Sequence, residues 1–182
     1  MRKLIVTTLM SVDGVVGSPE RLLPLWNDEN KSHAVAELAD VDAFLFGRVT
    51  FETFAARWPS VRGDAFADAL NALPKYVASR TLRDTSWAPT TLWSTNVSTE
   101  LERLKKQRGK NIMKYGLGQL DRALLGDHLV DELRISVVPI VIGSGRRLFE
   151  GLDLPRIPQL QLTDQKTFGN GVVRLTYAVI YN

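Results

Sequence analysis

Ala43-Phe44-Leu45-Phe46-Gly47-Arg48-Val49-Thr50 is an unbroken apolar run that stops at a glycine and opens into a polar, helix-compatible stretch. Four apolar residues in succession leave no wet face. They read as a strand buried on both sides, as in a parallel sheet covered by helices. Outward from this point the same alternation recurs. A helix is expected from about Val49 to Ala56 and another from Asp64 to Ala72, then a strand from Lys75 to Ala78 after Pro74. A strand near Thr91 to Ser94 leads to a helix at about 98–107, with Thr99 and Glu102 near its start. Asn111 to Tyr115 is a short strand, Gln119 to Leu125 a helix, and Asp131 to Val138 a strand that Pro139 interrupts.

Upstream, residues 2–10 form a β-branched strand broken by Asp13-Gly14. Residues 18–30 are polar and contain proline, so a loop is expected, followed by a helix over 31–40 capped by Asn30 or Ser32. The chain closes in a hairpin, with arms at 159–166 and 172–181 around Phe168-Gly169-Asn170-Gly171. Val61-Arg62-Gly63 and Leu154 to Pro158 read as loops. The expectation is one α/β domain over 1–182, with a mainly parallel central sheet, an antiparallel C-terminal hairpin and helices on both faces.

The bulk numbers agree. The 182 residues are 45% hydrophobic and 24% charged, a globular balance. There is no cysteine, which excludes disulfides, thiolate nucleophiles and Cys-ligated zinc, and fits a reducing, cytoplasmic setting. His33 and His128 stand isolated, so no transition-metal site is expected. The apolar run after Met1-Arg2-Lys3 is too short for a signal peptide, and no stretch approaches the roughly 18 apolar residues of a membrane span. A net charge of +3 gives no reason to expect nucleic acid. Arg103, Lys105, Lys106, Arg108 and Lys110 read as a solvated helix end complementing the helix dipole, or as an anion-binding patch.

Three strand ends carry chemistry. At Gly47-Arg48-Val49-Thr50 a glycine permits a tight turn, a helix N-terminus offers free N–H groups, and Arg48 and Thr50 add a cation and a hydroxyl. These are the parts of a phosphate site, and equally of an ordinary helix start with a surface arginine. Ser79-Arg80-Thr81 could hold a sugar phosphate or be a plain polar loop. Tyr115-Gly116-Leu117-Gly118-Gln119-Leu120 allows a pyrophosphate to approach a helix start, or is a simple tight turn. Asp28 and Glu29 are weak candidates for a proton donor, and Trp26 either flanks a ring substrate or plugs the core.

In this order the motifs resemble the dihydrofolate reductase-like superfamily. They are most similar to the reductase (C-terminal) domain of the bacterial riboflavin-pathway deaminase-reductase. Ser11-Val12-Asp13-Gly14-Val15-Val16-Gly17 resembles the segment along the nicotinamide, and the resemblance adds Thr8, Val16 and Gly17 to the cofactor contacts. Gly47-Arg48-Val49-Thr50 resembles the phosphate-holding helix start, Ser79-Arg80-Thr81 the loop at the 2′-phosphate, and Gly116 to Leu120 the pyrophosphate turn. Leu129-Val130-Asp131-Glu132-Leu133, Pro139 and Gly143-Ser144-Gly145-Arg146-Arg147-Leu148-Phe149 resemble the long strand and glycine loop of the riboflavin-type branch. The resemblance implies NADPH as cofactor and hydride transfer to a small heterocycle, such as the ribosylamino-pyrimidine phosphate of a 5-amino-6-(5-phosphoribosylamino)uracil reductase. The Gly143 to Arg147 loop would then approach the substrate or its phosphate. It also implies a homodimer.

Two departures stand out. Leu117 replaces a glycine in a turn whose first peptide bond is cis in dihydrofolate reductases, so the turn is expected to be altered. No acid aligns with the carboxylate that those enzymes carry on the helix after the Trp-containing loop. A pterin or broad-range reductase, and a nucleotide-binding sensor without turnover, therefore stay open as alternatives.

Overall fold

A computed structural model describes residues 1–17, 19–154 and 157–181, without the side chain of Pro19. The chain forms two compact units, Met1–Leu4 with His33–Tyr115, and Ile5–Ser32 with Gly116–Asn182.

In the first unit the strands are β2 (Val41–Gly47), β3 (Lys75–Ala78), β4 (Thr90–Trp93) and β5 (Asn111–Tyr115). Their order is β4-β3-β2-β5, and every pairing is parallel. Ala43 to Phe46 in β2 are at most 1% exposed, as the apolar run requires. Helices α3 (Arg48–Ala55) and α4 (Ala65–Ala72) follow β2, and α5 (Val97–Lys106) precedes β5. An aromatic cluster of Phe44, Phe46, Phe51, Phe54 and Trp87 fills the space behind β2. Asp64 starts α4 by accepting from the backbone N–H groups of Phe66 and Ala67, both at 2.9 Å. Lys105, in the last turn of α5, is only 4% exposed, so the basic cluster is not wholly a solvated face. Its stem lies on the apolar side that Leu101 and Leu104 bury.

In the second unit, β1 (Leu4–Ser11, whose first residue belongs to the other unit) pairs in parallel with β6 (Glu132–Val138). Strand β8 (Val173–Ile180) runs antiparallel to β6, and β7 (Gln159–Thr167) antiparallel to β8. The expected turn closes the hairpin, with Gly171 at φ +82° and the Gly171 N–H donating to Phe168 O at 2.9 Å. Parallel pairing with an antiparallel C-terminal hairpin is the α/β architecture that the sequence implies. Helix α6 (Gln119–Gly126) precedes β6.

The expected loop over 18–30 is wrong in most of its length. Pro19–Leu22 is a short helix, α1, and Leu23–Leu25 a 3-10 turn. Proline, taken as a breaker, sits here at helix starts, where its fixed φ helps and its missing N–H costs nothing. The next helix, α2, spans Asp28–Glu37, three residues earlier than expected. Its cap is neither Asn30 nor Ser32. The Asn27 side chain accepts from the Asn30 N–H at 3.0 Å, and Asp28 and Glu29 complement the dipole in the first turn. The loop expected at Leu154 to Pro158 includes Pro155 and Arg156, and Ser18 heads the other; these three lie outside the described residues.

Candidate functional site

In the first unit the register sets Gly47 opposite Ala78, so Gly47-Arg48-Val49-Thr50 and Ser79-Arg80-Thr81 leave neighbouring parallel strands at the same end. Helix α3 begins without a side-chain cap and without an acidic residue in its first turn. A Cβ built on Gly47 would meet no atom within 4 Å, so the space beside the residue that precedes α3 is open. Arg48 donates to both carboxylate oxygens of Glu52, at 3.1 and 2.9 Å. An exposed pair of this kind is worth little and yields readily to a stronger anion. Val49 is exposed. The Ser79 hydroxyl accepts from the N–H groups of Thr81 and Leu82, at 3.1 and 2.9 Å, which shapes the loop and leaves Arg80 exposed. Tyr115, at the end of β5, packs its ring against Phe44, Phe54 and Phe66, so its side chain serves the core.

In the second unit the turn after β5 is set by Gly116, at φ +72°, whose N–H donates to Thr7 O at 2.8 Å. Leu117 is 4% exposed and lines an apolar pocket of about 300 Å³ with Val6, Leu125, Val130 and Leu133. The only cis peptide bond among the described residues precedes Pro89, so the Gly116–Leu117 bond is trans. Helix α6 is capped from within. The carboxylate of Asp121, 1% exposed, accepts from the Gly118 N–H at 2.7 Å. Gln119 is exposed and Leu120 half-buried.

The segment after β1 is woven into the glycine loop. Val12 N–H donates to Ile140 O, Val16 N–H to Arg146 O and Leu148 N–H to Gly14 O, each at 2.9 Å. Asp13 locks the pair: its carboxylate accepts from the Ser11 hydroxyl at 2.7 Å, Gly143 N–H at 2.8 Å and Ile142 N–H at 3.1 Å. These donors, the Ser11 hydroxyl first, hold the Asp13 pKa down at about 2. Arg147 donates to Asp13 O, and Arg146 donates to Leu117 O at 2.6 Å. Thr8 and Val16 are buried, at 8% and 2% exposure, while Gly17 is exposed. Sequence reasoning quoted this segment without giving Asp13 a part. Asp-Gly at a strand end signals a turn, but the two loop N–H groups that the carboxylate holds lie 129 and 130 residues away in sequence.

Asp28 and Glu29 do not converge on a cleft. The Asp28 side chain is 98% exposed and faces Lys31, and Glu29 accepts from the Gly169 N–H at 2.9 Å. The buried polar residue of α2 is Asn30, fully enclosed, with its side-chain oxygen bonded to Asn27 N–H and to the Asn170 amide. Trp26 packs against the cluster of Leu22, Val138, Phe168 and Val172. Among the described residues no group of three His, Cys, Asp or Glu is placed to hold a metal ion, and no helix is long and apolar enough to cross a membrane.

Comparison with known families gives one match that spans nearly the whole chain: the model of the RibD C-terminal domain covers residues 2–174. The chain belongs to the RibD C-terminal domain family. A relative of this RibD C-terminal domain chain, the uncharacterized protein YyaP of Bacillus subtilis (strain 168), is 31% identical over 77% of this chain and 75% of its own. Among solved structures, a putative riboflavin biosynthesis protein from Shewanella sp. PV-4 superposes with a TM-score of 0.76 at 20% identity, covering 98% of this chain and 99% of that one. Dihydrofolate reductase from Enterococcus faecalis, solved with NADP(H), superposes with a TM-score of 0.60 at 16% identity, covering 97% and 96%. At these identities the structural likeness is one of fold.

Proposed function

We propose that this RibD C-terminal domain protein is an NADPH-dependent reductase of the riboflavin-pathway type, acting on a small heterocyclic or ribosylamino-pyrimidine substrate. The observation that carries the reading is the open start of α3. After Gly47, Arg48, Val49 and Thr50 open the helix with no side-chain cap and no acidic residue in the first turn, and add a cation and a hydroxyl beside Ser79, Arg80 and Thr81. That donor set suits the phosphates of a dinucleotide. NADPH would supply the hydride that the substrate carbon accepts.

The chain's own residues bind and orient. Arg48 exchanges Glu52 for phosphate, and Ser79 fixes the loop that carries Arg80. In the second unit, Thr8, Val16 and Gly17 would line the nicotinamide, with Gly116, Leu117, Gly118, Gln119 and Leu120 assigned to the pyrophosphate turn. Leu117 contributes there through its backbone, since its side chain is buried. A small-molecule substrate, a cytoplasmic setting and a homodimer complete the reading. The dimer is supported by β7, an exposed strand carrying Leu160 and Leu162, 38% and 48% exposed.

Titration with NADPH tests the cofactor, and turnover with a ribosylamino-pyrimidine phosphate and a pterin tests the substrate. Absence of any fluorescence change or thermal shift with NADPH would overturn the proposal. A second reading, nucleotide binding without turnover, is favoured by the placement of Asp28 and Glu29, one in solvent and one bound to Gly169. It predicts saturable NADPH binding with no oxidation across the substrate panel.

A further inference from the structure

The turn assigned to a pyrophosphate begins a helix that already holds its own anion. Asp121 accepts from the Gly118 N–H, the Asp121 N–H donates back to Gly118 O at 2.9 Å, and the carboxylate is sealed from solvent. A carboxylate in the first turn satisfies the positive end of the helix. A second anion there meets a donor already taken and a like charge.

The cation of this neighbourhood comes from elsewhere. The Arg146 guanidinium donates through Nη2 to Leu117 O at 2.6 Å and lies 3.8 Å from the position a Gly17 Cβ would take. Its partner is a carbonyl, and no carboxylate pairs with it among the described residues. The residue is exposed, so further N–H groups of its fork are open to a ligand. Its backbone is fixed: Val16 N–H donates to Arg146 O, and the next residue bridges to Val15. Gly145, at φ +124°, lets the loop come this close, because a Cβ there would stand 2.9 Å from Val15 Cγ1. Asp13 holds the other end of the loop through Ile142 and Gly143.

We propose that Arg146 is an oxyanion-binding group of this unit, presented between Gly17 and Leu117 by a loop that Asp13 pre-sets. The ligand chemistry is a phosphate, pyrophosphate or carboxylate oxygen, which a guanidinium takes through two parallel N–H bonds. Two sources carry such oxygens under the reading above, on which this inference rests: the cofactor's pyrophosphate and an acid group on the substrate.

The experiment compares wild type, R146A and R146K by calorimetric titration with NADPH, with inorganic pyrophosphate, and with ribose 5-phosphate at saturating NADPH. The compound 2′,5′-ADP serves as a control for phosphates read elsewhere. The expected result is a loss of about tenfold or more in R146A, part-restored in R146K, with 2′,5′-ADP unchanged. Loss on NADPH and pyrophosphate assigns the oxyanion to the cofactor, and loss on ribose 5-phosphate alone assigns it to the substrate. R146A and R146K that bind every probe as wild type does would overturn the inference while leaving the NADPH reading intact. A wild type that takes pyrophosphate through Arg146 but no NADPH would overturn the cofactor reading and keep the oxyanion group.

Discussion

Two strand-to-helix junctions in this chain share a plan and differ in who satisfies the helix. At Gly47-Arg48 the first turn of α3 has no side-chain cap and no acid. At Gly118-Gln119 the first turn of α6 contains Asp121, which takes the Gly118 N–H. Both follow a strand and both begin at a glycine, and a Cβ would meet nothing within 4 Å of either one. A glycine before a helix therefore does not by itself make an anion site. What decides is whether the chain has kept the donors for itself.

The strongest way to break this contrast is at Leu117. If its side chain belongs to the apolar pocket rather than to the ligand face, Leu117→Ala lowers the free energy of unfolding by about 2–5 kcal/mol. NADPH affinity should then hardly change. Urea denaturation and titration on the same protein check both halves. A variant of normal stability with weakened binding would return Leu117 to the ligand side. Next in size is Arg48→Ala, expected to weaken NADPH by roughly 10- to 100-fold, since a charge-assisted hydrogen bond contributes about 1.5–3 kcal/mol. Unchanged affinity would remove α3 from the phosphate site.

The self-capped junction gives a smaller and different response. Asp121→Asn keeps the shape but weakens the bond to Gly118, at a cost of about 1 kcal/mol by analogy with other caps. By removing a like charge it should also raise affinity for inorganic pyrophosphate. Asp64→Ala in α4 calibrates it: a cap far from either glycine junction in sequence, costing about 0.5–2 kcal/mol in the melting profile. No change in NADPH affinity should accompany it.

The contrast between the junctions was half legible. The order of elements followed from apolar runs and glycines, because burial on both faces of β2 leaves a local record in Ala43 to Phe46. The open start of α3 was also readable, since it depends on what is absent from a short stretch. The capping of α6 by Asp121, three positions after Gly118, is masked in the sequence because the same residues carry a glycine turn, and a turn of that composition does not require a cap. Leu117 looked like damage to a ligand turn because its pocket is built from Val6, Leu125, Val130 and Leu133, which no local window contains. The loop expected over 18–30 reads its prolines as breakers, whereas Pro19 and Pro24 stand at helix starts, and α2 begins early because Asn27, not Asn30 or Ser32, supplies its cap.

Asp13 offers the last test, through pH. Its folded-state pKa of about 2 lies below the ordinary 3.8, because the Ser11 hydroxyl and the N–H groups of Ile142 and Gly143 all favour the ionised form. A depressed carboxylate pKa adds stability that is complete above the unfolded value and is lost as pH falls through the folded one. The glycine loop should thus stay tied to the segment after β1 down to about pH 3.8 and loosen toward pH 2. The group is solvent-accessible, so the effect belongs to the loop more than to global unfolding. Asp13→Asn keeps one acceptor oxygen and puts an NH₂ where the other stood, facing a donor. It should speed amide exchange at Ile142 and Gly143 at neutral pH and flatten the acid transition of the wild-type loop. Equal exchange in both proteins at neutral pH would mean that the backbone ladder of Val12, Val16 and Leu148 holds the loop alone. Arg146 would then need no carboxylate to keep its place.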